Sequence, residues 1–161
     1  MRNKQADFSL WLCLLLAVSL LLTGCGGSSA PGNLDLNAFY DKLSEEFTLP
    51  DMMELSDKKM ENYYGLRSDA CTQLLARLNS DGQSVDEIWL IEAAGDAEAE
   101  EIASLAEFRV KQVCQETENY SPEQYAVAKQ AQIVKDGRYV ALFISPDAKA
   151  MAELFQKSLK G

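Results

Sequence analysis

The sequence contains no histidine. Histidine is the commonest general base, a usual member of catalytic triads and the commonest zinc ligand. The chain also lacks the GxSxG, P-loop and dinucleotide-binding patterns that mark common enzyme classes. These absences predict a non-enzymatic protein with no metal site.

Acidic side chains are plentiful, and some could still act as paired carboxylates. Asp86, Glu87 and Glu92 are candidates for the two acids that a glycosidase places on either side of a bond. We interpret them as a solvated face because acids are abundant along the whole chain. Asp81, Asp86 and Glu87 lack the alternating ligand spacing of an EF-hand, so calcium is not expected. An envelope hydrolase remains the alternative function.

The chain has only four cysteines, and two lie in its first 25 residues. The other two, Cys71 and Cys114, could form one disulfide if the protein is exported. They could instead be two buried free thiols. Sequence spacing cannot show whether they meet, so both alternatives stay open.

The chain also lacks a long apolar run. The apolar segment Phe8–Leu22 is shorter than the roughly 20 residues that a membrane-spanning helix needs. Arg2 and Lys4 precede it, as in the positive n-region of an export signal. A secretory signal is therefore the better interpretation.

The apolar segment ends in a pattern that resembles the bacterial lipobox. Leu22, Thr23 and Gly24 match the positions recognised by the signal peptidase, and Cys25 follows them. The Cys25 sulfur would carry a thioether-linked diacylglycerol, the expected covalent group, and no other cofactor is expected. Two acyl chains, such as palmitate, give stable membrane anchoring where one would be marginal.

This interpretation divides the chain into three parts: a signal peptide at 1–24, a flexible glycine- and serine-rich tether at 25–33, and a single domain at 34–161. Residues 1–24 hold two of the 15 basic and one of the 25 acidic side chains, so residues 25–161 carry a net charge of −11. A surface this acidic repels nucleic acid, which is therefore not an expected partner.

The first half of the domain reads as two helices followed by two strands. Apolar residues recur at helical spacing from Asp35 to Phe47, and a second helix begins at Ser56 and stops at Gly65. The runs Cys71–Leu78 and Glu87–Ala93 are typical of strands and are separated by a turn-rich connector.

The second half reads as helix, short helix, hairpin and helix. The long helix begins near Asp96, and a capping box predicts a short helix at Ser121-Pro122. Asp136-Gly137 suits a type I′ turn, and Ser145-Pro146-Asp147 caps the last helix. The order predicts an α+β fold in which helices pack on an antiparallel sheet built from two hairpins.

The second hairpin has apolar residues on both faces. A turn at Asp136-Gly137 pairs Val134 with Tyr139 and places Phe143 on the same face, which Trp89 could extend. Either the Asp35–Phe47 helix covers this face, or the face is exposed and binds a partner. The candidate partner surface consists of Trp89, Tyr139 and Phe143.

Several short sequence segments resemble those of a known family. They are "LSDKKMENYYGL", "VDEIWLIEA", "EFRVKQ", "NYSPEQ" and "KDGRYVALFIS", in that order after the lipobox and tether. This order resembles the small Gram-positive lipoproteins catalogued as domain of unknown function 4358, over roughly 34–160. The resemblance implies a membrane-tethered extracytoplasmic α+β domain. The family is uncharacterised, so it implies no catalytic or binding residue.

Together these features predict a lipid-anchored protein on the extracytoplasmic face of the cell membrane. We expect a non-enzymatic binding or accessory domain whose partner is an envelope protein, a peptide or a cell-wall component. A small solute-binding component of a transporter is a further alternative, although one small domain lacks the two lobes that close around a solute.

Overall fold

The structure is a computed structural model that describes residues 33–161. The predicted signal peptide, the lipobox with Cys25 and most of the tether therefore lie outside the described residues. The described part folds as one α+β domain, which confirms the predicted class. Its helices are α1 (Leu36–Glu46), α2 (Asp57–Tyr64), α3 (Asp96–Thr117), α4 (Pro122–Lys129) and α5 (Ala148–Lys160). Its strands are β1 (Met52–Glu54), β2 (Cys71–Asn79), β3 (Glu87–Ala93), β4 (Gln132–Asp136) and β5 (Tyr139–Ile144).

The strands form one antiparallel sheet in the order β1-β2-β3-β5-β4, so β3 is central. Helices α1 and α5 cover one face, while α2, α3 and α4 cover the other. Every residue of β3 is buried as a result. None of the helices in 33–161 is both long enough and apolar enough to cross a bilayer.

The predicted helix boundaries rest on identifiable capping residues. The Asp35 carboxylate accepts hydrogen bonds from the amides of Asn37 and Ala38 and so begins α1. Gly65 ends α2 in the left-handed conformation, with φ of 74°. These starts and stops are confirmed.

The capping box predicted at Ser121 is only half formed. The Ser121 hydroxyl accepts a bond from the Gln124 amide at 3.4 Å. The Gln124 side chain does not return to the Ser121 amide but accepts a bond from the Val85 amide at 3.0 Å. It thereby joins the start of α4 to the loop between β2 and β3.

The predicted register of the second hairpin is wrong by two residues. Asp136 pairs with Tyr139 and Val134 with Ala141, so the two turn residues are Gly137 and Arg138. Gly137 has φ of 55°, and within 33–161 no residue other than glycine has positive φ. Glycine at the first turn position alone fits a type II′ turn and not the predicted type I′. A shift of two leaves every side chain on its predicted face.

Strand β1 has no counterpart in the predicted order of elements. It spans three residues and pairs with the second half of β2, from Met52 opposite Asn79 to Glu54 opposite Arg77. Three residues are too few to show a recognisable alternation. The strand exists because β2 offers it an open edge.

We predict that Gly137→Ala lowers the free energy of unfolding by about 1–2 kcal/mol, because a side chain strains backbone at positive φ. Gly137→Asn, which tolerates such backbone better, should lose less. Urea denaturation of both variants measures this. An alanine variant as stable as the parent would contradict the turn assignment.

Candidate functional site

The polar interior of the domain centres on two glutamates of β3. The side chain of Glu87 is 0% exposed and that of Glu92 is 5% exposed. Asp86, just before the strand, is buried too. The interpretation of these three acids as a solvated face is therefore wrong. The reason is topological, since β3 is the central strand and helices cover both of its faces.

Glu87 accepts two short hydrogen bonds. The indole Nε1 of Trp89 donates to Oε1, and Nε of Arg109 donates to Oε2, each at 2.8 Å. The Arg109 guanidinium also lies 5.3 Å from the centre of the Tyr64 ring and 3.8 Å from a carboxylate oxygen of Glu116. Tyr64 in turn packs edge-on against Trp89. We call these five residues the Glu87 cluster; they link α2 and α3 to β3.

Burial governs the protonation of this cluster. It raises the pKa of Glu87, while the charge and hydrogen bond of Arg109 and the bond from Trp89 act in the opposite direction. Burial disfavours charge on Arg109, but the charge and hydrogen bond of Glu87, together with Tyr64 and Glu116, outweigh it, and the pKa of Arg109 lies above its ordinary value. Burial, followed by the charge of Glu87, raises the pKa of Tyr64 to about 12. Tyr64 is thus a neutral phenol at physiological pH.

Glu92 points to the other face, where it holds two side chains. Gln73 donates to its Oε2 at 2.7 Å, and Arg138 donates to its Oε1 at 2.9 Å. Arg138 lies in the β4–β5 turn and Gln73 near the start of β2. The carboxylate therefore joins three strands at one end of the sheet.

Side chains beside Glu92 also form hydrogen bonds with the backbone that leads into α1. The Gln73 amide donates from Nε2 to the carbonyl of Leu34 at 3.0 Å and accepts at Oε1 from the amide of Leu36 at 3.1 Å. The amide of Leu34 donates to the hydroxyl of Tyr139 at 3.1 Å. We call Gln73, Glu92, Arg138 and Tyr139 the N-terminal clamp. It fixes residues 34–36, which lead into α1, against the sheet.

The two glutamates cannot act as a catalytic pair on one bond. Such a pair must flank the bond from a shared cleft. Glu87 and Glu92 are five residues apart in one strand, so their side chains point to opposite faces of the sheet. Within 33–161, no three potential metal ligands come together, so the candidate calcium ligands Asp81, Asp86 and Glu87 do not form a site.

The proposed partner surface is wrong. Trp89, Tyr139 and Phe143 are 1%, 3% and 0% exposed. They also lie on different faces, because Trp89 packs with α3 while Tyr139 and Phe143 pack with α1 and α5. The alternative that the Asp35–Phe47 helix covers the Tyr139 face is confirmed, with α5 completing the cover.

The structure contains Cys71 and Cys114 as free thiols, each partly buried. Of the two alternatives left open, it therefore has the free thiols and not the disulfide. Cys71 lies at the start of β2, where its thiol donates to the carbonyl of Arg67 at 3.8 Å. Burial, together with the charges of Asp57 and Asp69, raises the pKa of Cys71 to about 11.

Exposed aromatic side chains were missed by the sequence reasoning. Tyr63 and Phe108 are each adjacent in sequence to a member of the Glu87 cluster, and Tyr120 follows the end of α3. The apolar stripe of α3 consists of Ile102, Leu105, Ala106, Val110 and Val113. Phe108 falls outside this stripe, and its position in the helix was the available signal for its exposure.

A comparison with protein-family models matches residues 45–145 to the domain of unknown function DUF4358. The chain belongs to this family. The match is shorter than the resemblance suggested, and it leaves most of α1 and all of α5 outside. The chain has no significant match among curated proteins or among solved structures.

We predict that Arg109→Met destabilises the domain by about 3–5 kcal/mol at pH 7, because it leaves a buried carboxylate without its charged partner. The deficit should shrink between pH 7 and pH 4. The sign follows because Arg109 lowers the pKa of Glu87. Its removal raises that pKa further above the unfolded-state value, so the variant regains more stability than the parent as pH falls and Glu87 is protonated. Urea denaturation across this pH range provides the measurement.

The matched control is the double variant Glu87→Gln with Arg109→Met. Its neutral amide oxygen still accepts from Trp89, so we expect the combined loss to be smaller than the sum of the single losses. Strict additivity would contradict the coupling between Glu87 and Arg109.

We predict slow alkylation of Cys71. A thiol with pKa about 11 holds on the order of a hundredfold less thiolate at pH 8 than one with the ordinary value. Iodoacetamide modification, followed by mass spectrometry of the peptide containing Cys71, should keep accelerating beyond pH 10. An exposed cysteine introduced as Asn119→Cys is the control. A rate that levels off near pH 9 would refute the assignment.

Proposed function

We propose that this protein is a lipid-anchored lipoprotein of a Gram-positive cell, held on the extracytoplasmic face of the membrane. Its domain serves as a non-enzymatic binding or accessory module of the envelope. The observation that carries the anchoring proposal is the sequence Leu22-Thr23-Gly24-Cys25 directly after a short apolar run. A diacylated cysteine supplies two chains, enough for stable attachment.

The position of the N-terminal clamp is consistent with a short tether. Leu34, the first residue that the clamp holds, is nine positions after Cys25, with eight residues between them. Fully extended, nine residues reach about 30–32 Å. An anchored domain would therefore remain next to the bilayer, where envelope partners are found.

The state of the buried polar groups favours binding over catalysis. Glu87 and Glu92 are occupied by hydrogen bonds within the fold. Tyr64 and Cys71 have pKa values of about 12 and about 11, so both hold their protons near neutral pH. A general base or nucleophile needs a pKa closer to the working pH.

The charge of the protein bears on the class of partner. Residues 25–161 carry a net −11, which disfavours polyanions such as nucleic acid. An envelope protein, a peptide or a cell-wall component with cationic groups suits this surface better.

We predict that radiolabelled palmitate is incorporated into the protein and that Cys25→Ala abolishes the labelling, because Cys25 alone of the four cysteines directly follows the lipobox residues Leu22-Thr23-Gly24. Cys13→Ala is the matched control, since Cys13 lies in the signal peptide and its loss should leave labelling unchanged. Gel autoradiography of labelled cells measures both variants. Labelling that survives Cys25→Ala, or an unlabelled parent protein, would contradict the anchor.

The binding role is tested separately with the acylated protein recovered from membranes. We expect it to co-purify with a specific envelope component after crosslinking. Turnover of a small substrate by the purified protein, with no such component recovered, would reverse the proposal in favour of an enzyme.

A further inference from the structure

Asp86 differs from the two buried glutamates of β3 because its side chain has no partner. Its backbone carbonyl accepts a hydrogen bond from the Asn79 amide at 2.9 Å, which joins the end of β2 to the residue before β3. Within 33–161, no group donates to its carboxylate, whereas Glu87 and Glu92 each accept two hydrogen bonds. Asp86 is only 7% exposed. It is therefore a buried acid that the fold itself leaves unsatisfied.

The carboxylate of Asp86 reaches the surface. Among the buried and partly buried residues of the described chain, the hydroxyl of Ser84 is the one side-chain nitrogen or oxygen that is both shielded from solvent and without a partner. Because the Asp86 carboxylate has no partner either, its oxygens must keep some contact with solvent. The small exposed part of Asp86 thus includes the charged end of its side chain, and a second unsatisfied group lies two residues before it.

Exposed acids lie on the segments next to Asp86. Asp81 is part of the β2–β3 loop, residues 80–86, and is exposed. Asp51, also exposed, lies just before β1, and its carbonyl accepts a hydrogen bond from the Ser80 amide at 2.8 Å. This bond holds the entry to β1 against the β2–β3 loop. Two exposed carboxylates are thereby placed near the strand end that carries Asp86.

The start of α5 lies on the other side of Asp86. Glu87 pairs with Ile144 of β5, so the next position along β5, opposite Asp86, is Ser145. The Ser145 hydroxyl accepts a hydrogen bond from the Asp147 amide at 3.2 Å. Asp147 is exposed, and it adds a third carboxylate within two residues of the position opposite Asp86.

Basic residues are scarce in the same segments. The stretches 43–57 and 78–108 contain no lysine or arginine. Arg77, which precedes the second stretch, lies 3.1 Å from a carboxylate oxygen of Glu54 and 5.2 Å from the centre of the Tyr40 ring, so it is already engaged. Lys149, in the first turn of α5, is exposed and follows Asp147 closely. The charge around Asp86 is therefore predominantly negative.

We infer that Asp86 binds a lysine or arginine side chain of a partner peptide. This inference rests on the proposed binding role of the domain and names the chemistry of the partner. A lysine ammonium has three hydrogen-bond donors and no acceptor, so it supplies what the Asp86 carboxylate and the Ser84 hydroxyl lack. The exposed acids nearby attract a cationic segment and disfavour an anionic one.

A cationic side chain suits this position better than a multivalent metal ion. Calcium takes roughly six to eight oxygen ligands, with several carboxylates among them. In the part of the chain that the structure describes, no three acidic or other metal-ligating side chains converge. Asp51, Asp81 and Asp147 are instead distributed over three segments, an arrangement that suits several contacts along a basic peptide.

The assignment has a consequence for stability. A buried carboxylate without a partner opposes folding, and removal of its charge relieves that cost. We therefore expect Asp86→Asn to leave the free energy of unfolding unchanged or to increase it. An acid kept for the fold would behave in the opposite way, because its loss would break an interaction. Urea denaturation of the parent and the variant distinguishes the two.

Binding is tested with the full-length acylated protein in a neutral detergent. The probe is a dye-labelled peptide of alternating glycine and lysine residues, and the control probe has the same sequence with acetylated lysines. Fluorescence anisotropy should show binding of the first probe only. Asp86→Asn should weaken that binding by about tenfold or more, because a hydrogen bond between charged groups is lost. Glu107→Gln, which removes one exposed acid from α3, is the matched control and should leave binding close to that of the parent.

A carbodiimide crosslinker locates the contact in the parent protein. This reagent joins a carboxylate to an amine that touches it, and mass spectrometry of the digested product identifies the acid. We expect the lysine probe to be joined to Asp86, although many other acids of the chain are far more exposed. The acetylated probe, which has no lysine amine, should give no such product.

Several results would overturn the Asp86 assignment. They are equal binding of both probes, parent-like binding by Asp86→Asn, crosslinks confined to other acids, and a loss of stability in Asp86→Asn. Displacement of the probe by calcium chloride, beyond the effect of sodium chloride at equal ionic strength, would assign the position to a metal ion instead. An envelope component that crosslinks equally to the parent and to Asp86→Asn would overturn the Asp86 assignment and leave the proposed binding role intact.

Discussion

The organisation of this domain depends on a central strand that carries a buried glutamate onto each face of the sheet. A buried carboxylate is stable only when its charge and hydrogen-bonding capacity are satisfied locally. Glu87 is satisfied by Trp89 and by Arg109 of α3. Glu92 is satisfied by Gln73 and by Arg138 in the β4–β5 turn. Each glutamate thus specifies which elements lie beside β3.

The Glu87 cluster and the N-terminal clamp stabilise different parts of the structure. The Glu87 cluster fixes α2 and α3 on one face, with Tyr64 and Arg109 in contact at its outer edge. The N-terminal clamp fixes residues 34–36 on the other face and so determines where the chain enters the domain. An apolar core could cover the sheet without either cluster, but it would not select one entry point for the chain.

Local signals made most of the architecture predictable. Asp35, Gly65 and Pro122 mark helix ends through capping and backbone geometry that act within a few residues. The hairpin register was not predictable to the same degree, because Asp-Gly suits one turn type while Gly-Arg, the turn observed, lies one residue further along and shifts the strand pairing by two residues. Strand β1 was missed because three residues carry too little pattern, and its pairing depends on a distant edge.

The sequence alone determined the class of fold, its helix boundaries, its family resemblance and the candidate lipid site, since each of these depends on residues that are close together in the chain. Only the tertiary structure decided that Trp89 and Phe143 are covered on opposite faces of the sheet. It also decided that Glu87 and Glu92 are buried, each with its own hydrogen-bonding partners, and do not form a solvated face. The physical reason is that burial and pairing depend on which helices pack over a strand. Arg109 lies 22 residues from Glu87, and Leu34 lies 39 residues from Gln73 and 105 from Tyr139.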